Sequence, residues 1–278
     1  MTPSPKLLTH ADHALARRLE GIEARSNAAS IEAHTRLYPA NGATWQFVAG
    51  AYVLFDGPDS PLTQTFGLGL FEEATAIDLG EIERFFATRG APVLHEISPL
   101  ASPALLPLLG QRGYQPIEFT SVMYRDLTAA NTSEPSASPA LSTRTIVAEE
   151  ADEWARTAAA GWLTEAPEEN DFMLQLGQIS AHSVGMTLFV AELHGEAIAT
   201  ASLYMHEGVA LLAGASTVPA GRRQGGQAAL LAARLHHAYA HGCTLAAMGA
   251  LPGSQSQRNA ERYGFRLAYT RIKWQLLR

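Results

Sequence analysis

The chain has 278 residues, 47% hydrophobic and 17% charged, a globular composition with enough apolar material for two domains of ordinary size. A net charge of -7 with no long basic run argues against a nucleic-acid-binding surface. Cys243 is the only cysteine, which excludes a disulfide framework and a cysteine-rich metal site. The first residues, "MTPSPKLLTHADHALARRLE", lack the apolar core of a signal peptide, and no apolar stretch reaches the roughly 18 residues of a membrane span. A cytoplasmic protein with no membrane and no nucleic-acid partner is expected.

In chain order, "ADHALARRLEGIEARSNAASIEAHTRLY" (11–38) reads as an amphipathic helix, or two. After "TQTFGLGL" (63–70), "DLGEIERFFATRG" (78–90) reads as a helix, and 90–127 as strand, helix, Gly113-Tyr114, strand. "LTAANTSEPSASPALST" (127–143) is small, polar and proline-containing without hydrophobic period, the composition of a linker. The second half predicts a strand over 142–148, helices over 149–163 and 167–182, and strands over 187–193, 197–205 and 209–218. A loop and a helix to about 241 follow, then a buried strand over 243–251. A short helix comes next, with Ser254 and Gln257 spaced as a capping box. The last strand covers 266–277.

Residues 242–278 repeat the pattern of 90–127, with Gly264-Phe265 standing where Gly113-Tyr114 stands. A divergent internal duplication is expected, giving domains 1–127 and 142–278 joined by the linker 128–141. The fold class is α/β, in an α+β arrangement where each domain is a mixed, mostly antiparallel sheet flanked by helices.

"STVPAGRRQGGQAALLAARL" (216–235) carries the chemistry. A strand running into a glycine turn and then a helix directs several free backbone N–H groups at one spot, and the helix dipole adds partial positive charge there. Glycine lets a large anion approach without a Cβ, and the arginines put positive charge at the rim. The loop therefore suits a pyrophosphate, although a glycine pair also eases a tight strand–helix turn. It is not a nucleotide P-loop, since no lysine follows the glycines. Nor is it the G-x-G-x-x-G dinucleotide fingerprint.

Strand, V-P-x-x-R-R-x-G-G-x-A, helix, buried strand, short helix, "YGF" and final strand together resemble the GNAT acyltransferases, the Gcn5-related N-acetyltransferase superfamily. The resemblance covers 142–278, with a weaker copy in the first half that lacks the loop. The family's coenzyme A loop runs Gln or Arg, two residues, Gly, one residue, then Gly or Ala. Arg222-Arg223-Gln224-Gly225-Gly226-Gln227 fits except at Gln227, and the overlapping frame from Arg223 through Gly226 to Ala228 fits in letters.

The resemblance implies acetyl-CoA as co-substrate, with pantetheine pairing with the strand end at Thr217-Val218. The amides of Gly225, Gly226, Gln227 and Ala228 would hold the pyrophosphate, flanked by Arg222 or Arg223. A substrate amine, in a small molecule or a peptide, would attack the acetyl carbonyl directly. The first half would be a degenerate copy that shapes the acceptor cleft or the assembly.

The family's tyrosine four residues before the Gly-Phe glycine is here Ala260, and its usual asparagine is Gly253. Ser256, Asn259 and Tyr263 are the remaining catalytic candidates. Ser256 and Asn259 either donate to coenzyme A or are polar residues of a helix surface, and Tyr263 is either a proton donor or a rim aromatic. Glu192, Glu207 and His206 are candidate bases or solvated strand ends, and Tyr204 could face the acceptor. His236, His237 and His241 include an i, i+4 pair but no third ligand, so no metal is expected. Cys243 and the tryptophans Trp154, Trp162 and Trp274 read as core or rim. Two other functions stay open: a non-catalytic acyl-CoA-binding or scaffolding protein, and an acyltransferase for a larger acyl-CoA. The acceptor and the oligomeric state, a homodimer included, are not readable.

Overall fold

The computed structural model describes residues 11–132, 140–162 and 170–277. Half of the expected linker, 133–139, and the Pro167 opening of a helix lie outside them. The chain divides into two compact units that are not successive halves. The first comprises Met1–Ile31, Pro39–Asp126 and Ala247–Arg278; the second comprises Glu32–Tyr38 and Leu127–Ala246. These bounds differ from the expected ranges 1–127 and 142–278, because β-strand pairing carries the last segment into the first unit.

In the first unit the strands run in the order β1 (Thr44–Val48), β2 (Ala51–Phe55), β3 (Gln64–Phe66), β4 (Leu94–Ile97), β11 (Arg266–Leu276), β5 (Tyr114–Asp126). All neighbours are antiparallel except β3 and β4, which are parallel and joined through α2 (Ala76–Ala87). β11 is antiparallel to both β4 and β5 and pairs with β5 from Arg266 to Leu276. Alternation along the strands builds two cores. Val53, Phe55 and Ile97 cluster with Leu79, Ile82 and Phe86 of α2 and Leu105 and Leu109 of α3 (Leu105–Gln111). Leu54 and Phe66 cluster with Ala24, Ala28 and Ile31 of α1 (His13–Leu37), which is one helix.

The two copies of the repeat match locally. β4, α3, Gly113 and β5 correspond to β10 (Leu245–Ala250), α7 (Gln255–Arg262), Gly264 and β11. Each glycine ends its helix in the left-handed conformation, with φ 84° at Gly113 and 78° at Gly264. Ser254 caps α7 by accepting from Gln257 N at 3.2 Å, but the Gln257 side chain accepts from Gly253 N rather than closing the expected box.

Inserting β11 carries a cation into the first unit. The Arg271 side chain is 2% exposed and donates to Glu96 (2.9 Å), Glu20 (3.2 Å) and Glu23 (2.8 Å). Tyr269 OH donates to the other oxygen of Glu20 at 2.9 Å, and Lys273 lies 3.3 Å from Glu96. Burial pushes the Glu20 carboxyl up to about 7 despite the attraction of Arg271. Burial prevails because Arg271 shares its charge with Glu23 and Glu96 as well.

A carboxyl raised in the folded state contributes stability that is full below its unfolded value and is lost as pH rises through about 7. Glu20→Gln keeps a carbonyl acceptor for Arg271 and offers its amide N–H to Tyr269 Oη, and it should flatten this dependence. Denaturant midpoints measured from pH 5 to pH 8 should fall with pH in the wild type and stay more level in the variant. A parallel fall in both would show that Glu20 does not cause it.

In the second unit β6 (Leu141–Thr145), β7 (Met186–Leu193), β8 (Glu196–His206) and β9 (Val209–Thr217) form an antiparallel run in that order. Leu188 faces α4 (Ala151–Ala160) and its partner α5 (Asn170–Ala181), in a cluster with Trp154, Ala155 and Ala158. Phe189 points the other way, 5.4 Å ring to ring from His237 on α6 (Gly226–Ala240). α6 therefore covers the sheet face opposite to α4.

Candidate functional site

The loop between β9 and α6 shows why its glycines are bare, and the reasons differ. Gly225 is the N-cap of α6 at φ 85°, a left-handed conformation that favours glycine. A Cβ on Gly226 would lie 3.2 Å from Ile198 Cδ1 and 3.3 Å from Ala199 Cβ, so this glycine lets α6 close onto β8. Gly221 is tighter still, since its Cβ would fall 2.6 Å from Ile198 Cβ. The easing of a strand–helix turn therefore accounts for part of the pattern.

The remainder suits an anion. No side chain caps α6, its first turn has no acidic residue, and Ala229 is its first amide to find a backbone acceptor, on Gly225 O at 3.0 Å. The amides of Gly226, Gln227 and Ala228 thus form a donor set at the positive end of a 15-residue helix. Arg222, Arg223, Gln224 and Gly225 are exposed around it. Arg223 adopts a left-handed conformation at φ 64°, and Arg222 Nη2 donates to Gly161 O at the end of α4 (3.2 Å). These residues fit a pyrophosphate: donors, cations and a bare Cα, with no carboxylate on the helix turn.

The end of β9 is already engaged within the unit. Val218 does not offer free backbone to a pantetheine chain: its N–H donates to Ile198 O (3.0 Å) and its carbonyl accepts from Gly221 N (2.9 Å). Gln227, the departure from the motif, also has a task of its own. Its Nε2 donates to Ser216 O (2.7 Å) and Thr217 Oγ1 (2.9 Å), tying the first turn of α6 to the end of β9.

β9 carries a bulge just before that end. The register steps from Thr200↔Ser216 to Ser202↔Ala213, so Gly214 and Ala215 face Ala201 alone. Gly214 is left-handed at φ 56°. A glycine inside an otherwise apolar strand is the available sequence signal for such a bulge.

The first unit has no equivalent of this loop. Between β3 and α2 a Cβ on Gly67 would fall 2.0 Å from the Phe71 ring, so Phe71 fills the turn. Arg17 Nε is spent on Leu70 O (3.0 Å). Thr75 and Asp78 close a capping box over the first turn of α2, and these hydrogen bonds hold the Asp78 carboxyl below its usual range. A carboxylate stands where the second unit leaves amides open.

Ser256, Asn259 and Tyr263 belong to the first unit, whereas the loop belongs to the second. Ser256 is exposed on α7, Asn259 Oδ1 accepts from Gln255 Nε2 at 2.7 Å, and Tyr263 is the C-cap. Ala260 is buried at 1% exposure. Glu192 is engaged by Arg144, which also binds Glu150. Glu207 and His206 form the turn at the opposite end of β9 from the loop, roughly 25 Å away at strand rise.

Tyr204 is buried, with its ring against Gly185. His237 and His241 stack at 4.0 Å and His236 Nδ1 lies 3.1 Å from Thr132 O. Among the described residues no group of three or more His, Cys, Asp or Glu is placed to hold a metal ion. Cys243 is buried and in no disulfide. Trp154 is core and donates to Phe189 O (2.9 Å); Trp274 packs partly buried, and Trp162 is 37% exposed. No helix among the described residues is long and apolar enough to cross a membrane.

No protein-family model and no curated protein matches the sequence. Solved structures do match its fold. A GCN5-related N-acetyltransferase from Kribbella flavida is 18% identical, with TM-score 0.61 over 91% of this chain and 94% of that one. A GCN5-related N-acetyltransferase from Sphaerobacter thermophilus is 16% identical, with TM-score 0.55 over 96% and 94%. A tandem GNAT protein from the clavulanic acid biosynthesis pathway is 12% identical, with TM-score 0.59 over 96% and 97%. With matching sheets and helices over nearly the whole of both chains, this protein has the fold of the GNAT acetyltransferases.

Proposed function

We propose that the protein is a CoA-dependent acyltransferase that binds acetyl-CoA through the loop of its second unit and transfers the acetyl group to an amine. One observation carries this reading: the first turn of α6 is left without a side-chain cap or a carboxylate, under a left-handed Gly225 and beside two exposed arginines. When bound, acetyl-CoA would supply the acyl group as an activated thioester. The chain's part is to hold the pyrophosphate on the amides of Gly226, Gln227 and Ala228, with Arg222 and Arg223 at the rim. The first unit, with Phe71 and Asp78 in the corresponding turn, binds no CoA in this reading. The acceptor is a small-molecule or peptide amine, nucleic acid and membrane have no part, and the protein acts in the cytoplasm.

Calorimetric titration tests the reading. Acetyl-CoA should bind saturably, and S-acetylpantetheine, which lacks the pyrophosphate, should bind at least about tenfold more weakly. Equal binding of the two would remove the loop from the site, and no binding of acetyl-CoA would overturn the reading. A second reading, a non-catalytic acyl-CoA binder, is favoured by buried Ala260 at the family's tyrosine position. Release of free CoA thiol that depends on added amine separates enzyme from binder.

A further inference from the structure

Arg234 is a buried cation with no carboxylate beside it among the described residues. It lies on α6, 4% exposed. Its Nη1 donates to Ser202 O (3.1 Å) and Ala213 O (3.3 Å), and its Nε to Leu230 O (3.3 Å). Burying an arginine against neutral carbonyls alone is costly, and an apolar residue of similar size would fill the space more cheaply. The place where it is spent is informative. Ser202 and Ala213 are the register partners at the edge of the β9 bulge. A bulge interrupts the ladder, and a single guanidinium nitrogen here bridges a carbonyl from each strand.

Gln227 holds the other side of the same bulge, through Ser216 O and Thr217 Oγ1. Gln227 and Arg234 are two turns apart on α6, on one face and roughly 10 Å apart along the axis. From the opposite face of the sheet, Ser216 Oγ donates to Ala158 O (2.9 Å) and lies 3.0 Å from Thr200 Oγ1. The segment 213–217 is thus held at both ends by the helix whose first turn carries the open amides. A rigid helix fixes the distance between these two holds, so strand end and loop are set together.

We infer that Arg234 is a positioning residue: it pins the bulge of β9 to α6 and so fixes the strand end relative to the phosphate-binding turn. Its effect on ligand binding rests on the acetyl-CoA reading above; its effect on the bulge does not. The ion stays charged at neutral pH, since burial lowers it only to about 10.

Arg234→Met, close in length and apolar, removes the bridge, and Arg234→Lys keeps the charge and a single donor nitrogen. Hydrogen exchange is read across the whole chain, together with acetyl-CoA affinity by calorimetry. In Arg234→Met the amides of 213–217 should exchange at least about tenfold faster while the β7–β8 ladder keeps its protection. The acetyl-CoA Kd should rise about tenfold or more, and Arg234→Lys should recover part of both changes. Unchanged exchange at 213–217 overturns the inference, as does an equal acceleration throughout the second unit. If Arg234→Met does not fold, the lysine variant decides on the same two patterns. A wild type that binds no acetyl-CoA, with faster exchange confined to 213–217 in the variants, sinks the acyltransferase reading and leaves the pinning intact.

Discussion

Arg271→Met should destabilise the first unit by about 3–5 kcal/mol, the cost of leaving buried carboxylates without their cation. Glu20 and Glu96 are almost fully buried beside Arg271, with side chains 1% and 4% exposed, and Glu23 meets it with both oxygens. Methionine fills much of the volume, so the loss is electrostatic rather than a cavity. A loss of that size is a large part of the roughly 5–15 kcal/mol that holds an ordinary domain folded. Denaturant unfolding at neutral pH measures it. Adding Glu20→Gln, Glu23→Gln and Glu96→Gln to the variant should restore much of the stability, because neutral amides no longer need the cation. A change below about 1 kcal/mol in Arg271→Met would mean that the carboxyls are relieved by water or by taking up protons, as the raised Glu20 can.

Gly225→Glu should abolish measurable acetyl-CoA binding, raising Kd by about a hundredfold or more, equivalent to about 3 kcal/mol. A side chain at φ 85° costs about 1–2 kcal/mol in local strain. A carboxylate at a helix N-terminus recovers part of that through the dipole, so the fold should survive. Binding has no such compensation, since the new carboxylate takes the amides and the positive potential intended for phosphate. Gly225→Ala separates the two effects: it carries the strain without the charge and should weaken binding far less. Calorimetry with acetyl-CoA on both variants, with thermal unfolding as control, measures the difference. Equal losses in the two would assign the effect to backbone geometry, and no loss in either would move the anion away from α6.

The order of elements in the second half and the glycine turn before α6 were legible in the sequence because their signals are local, whereas β1 and β2 were not read. Gly225 before a helix-forming run, the absence of acidic residues in its first turn, and Gly113 and Gly264 after short helices each act within a few residues. The internal repeat was legible for the same reason, as two copies of one local pattern.

The tertiary structure decided where those elements go. β11 follows α7 in the chain yet lies between β4 and β5, because every strand offers the same backbone donors and acceptors and local sequence does not name its neighbour. Arg271 and Arg234 read as ordinary arginines until strand pairing buries one among glutamates and the other under a bulge. Gln227 read as a mismatch to a motif until the fold placed Ser216 O within its reach. Local conformation is set by each residue's own sterics and capping, whereas the partner of a buried charge or a strand edge exists only once distant segments have met.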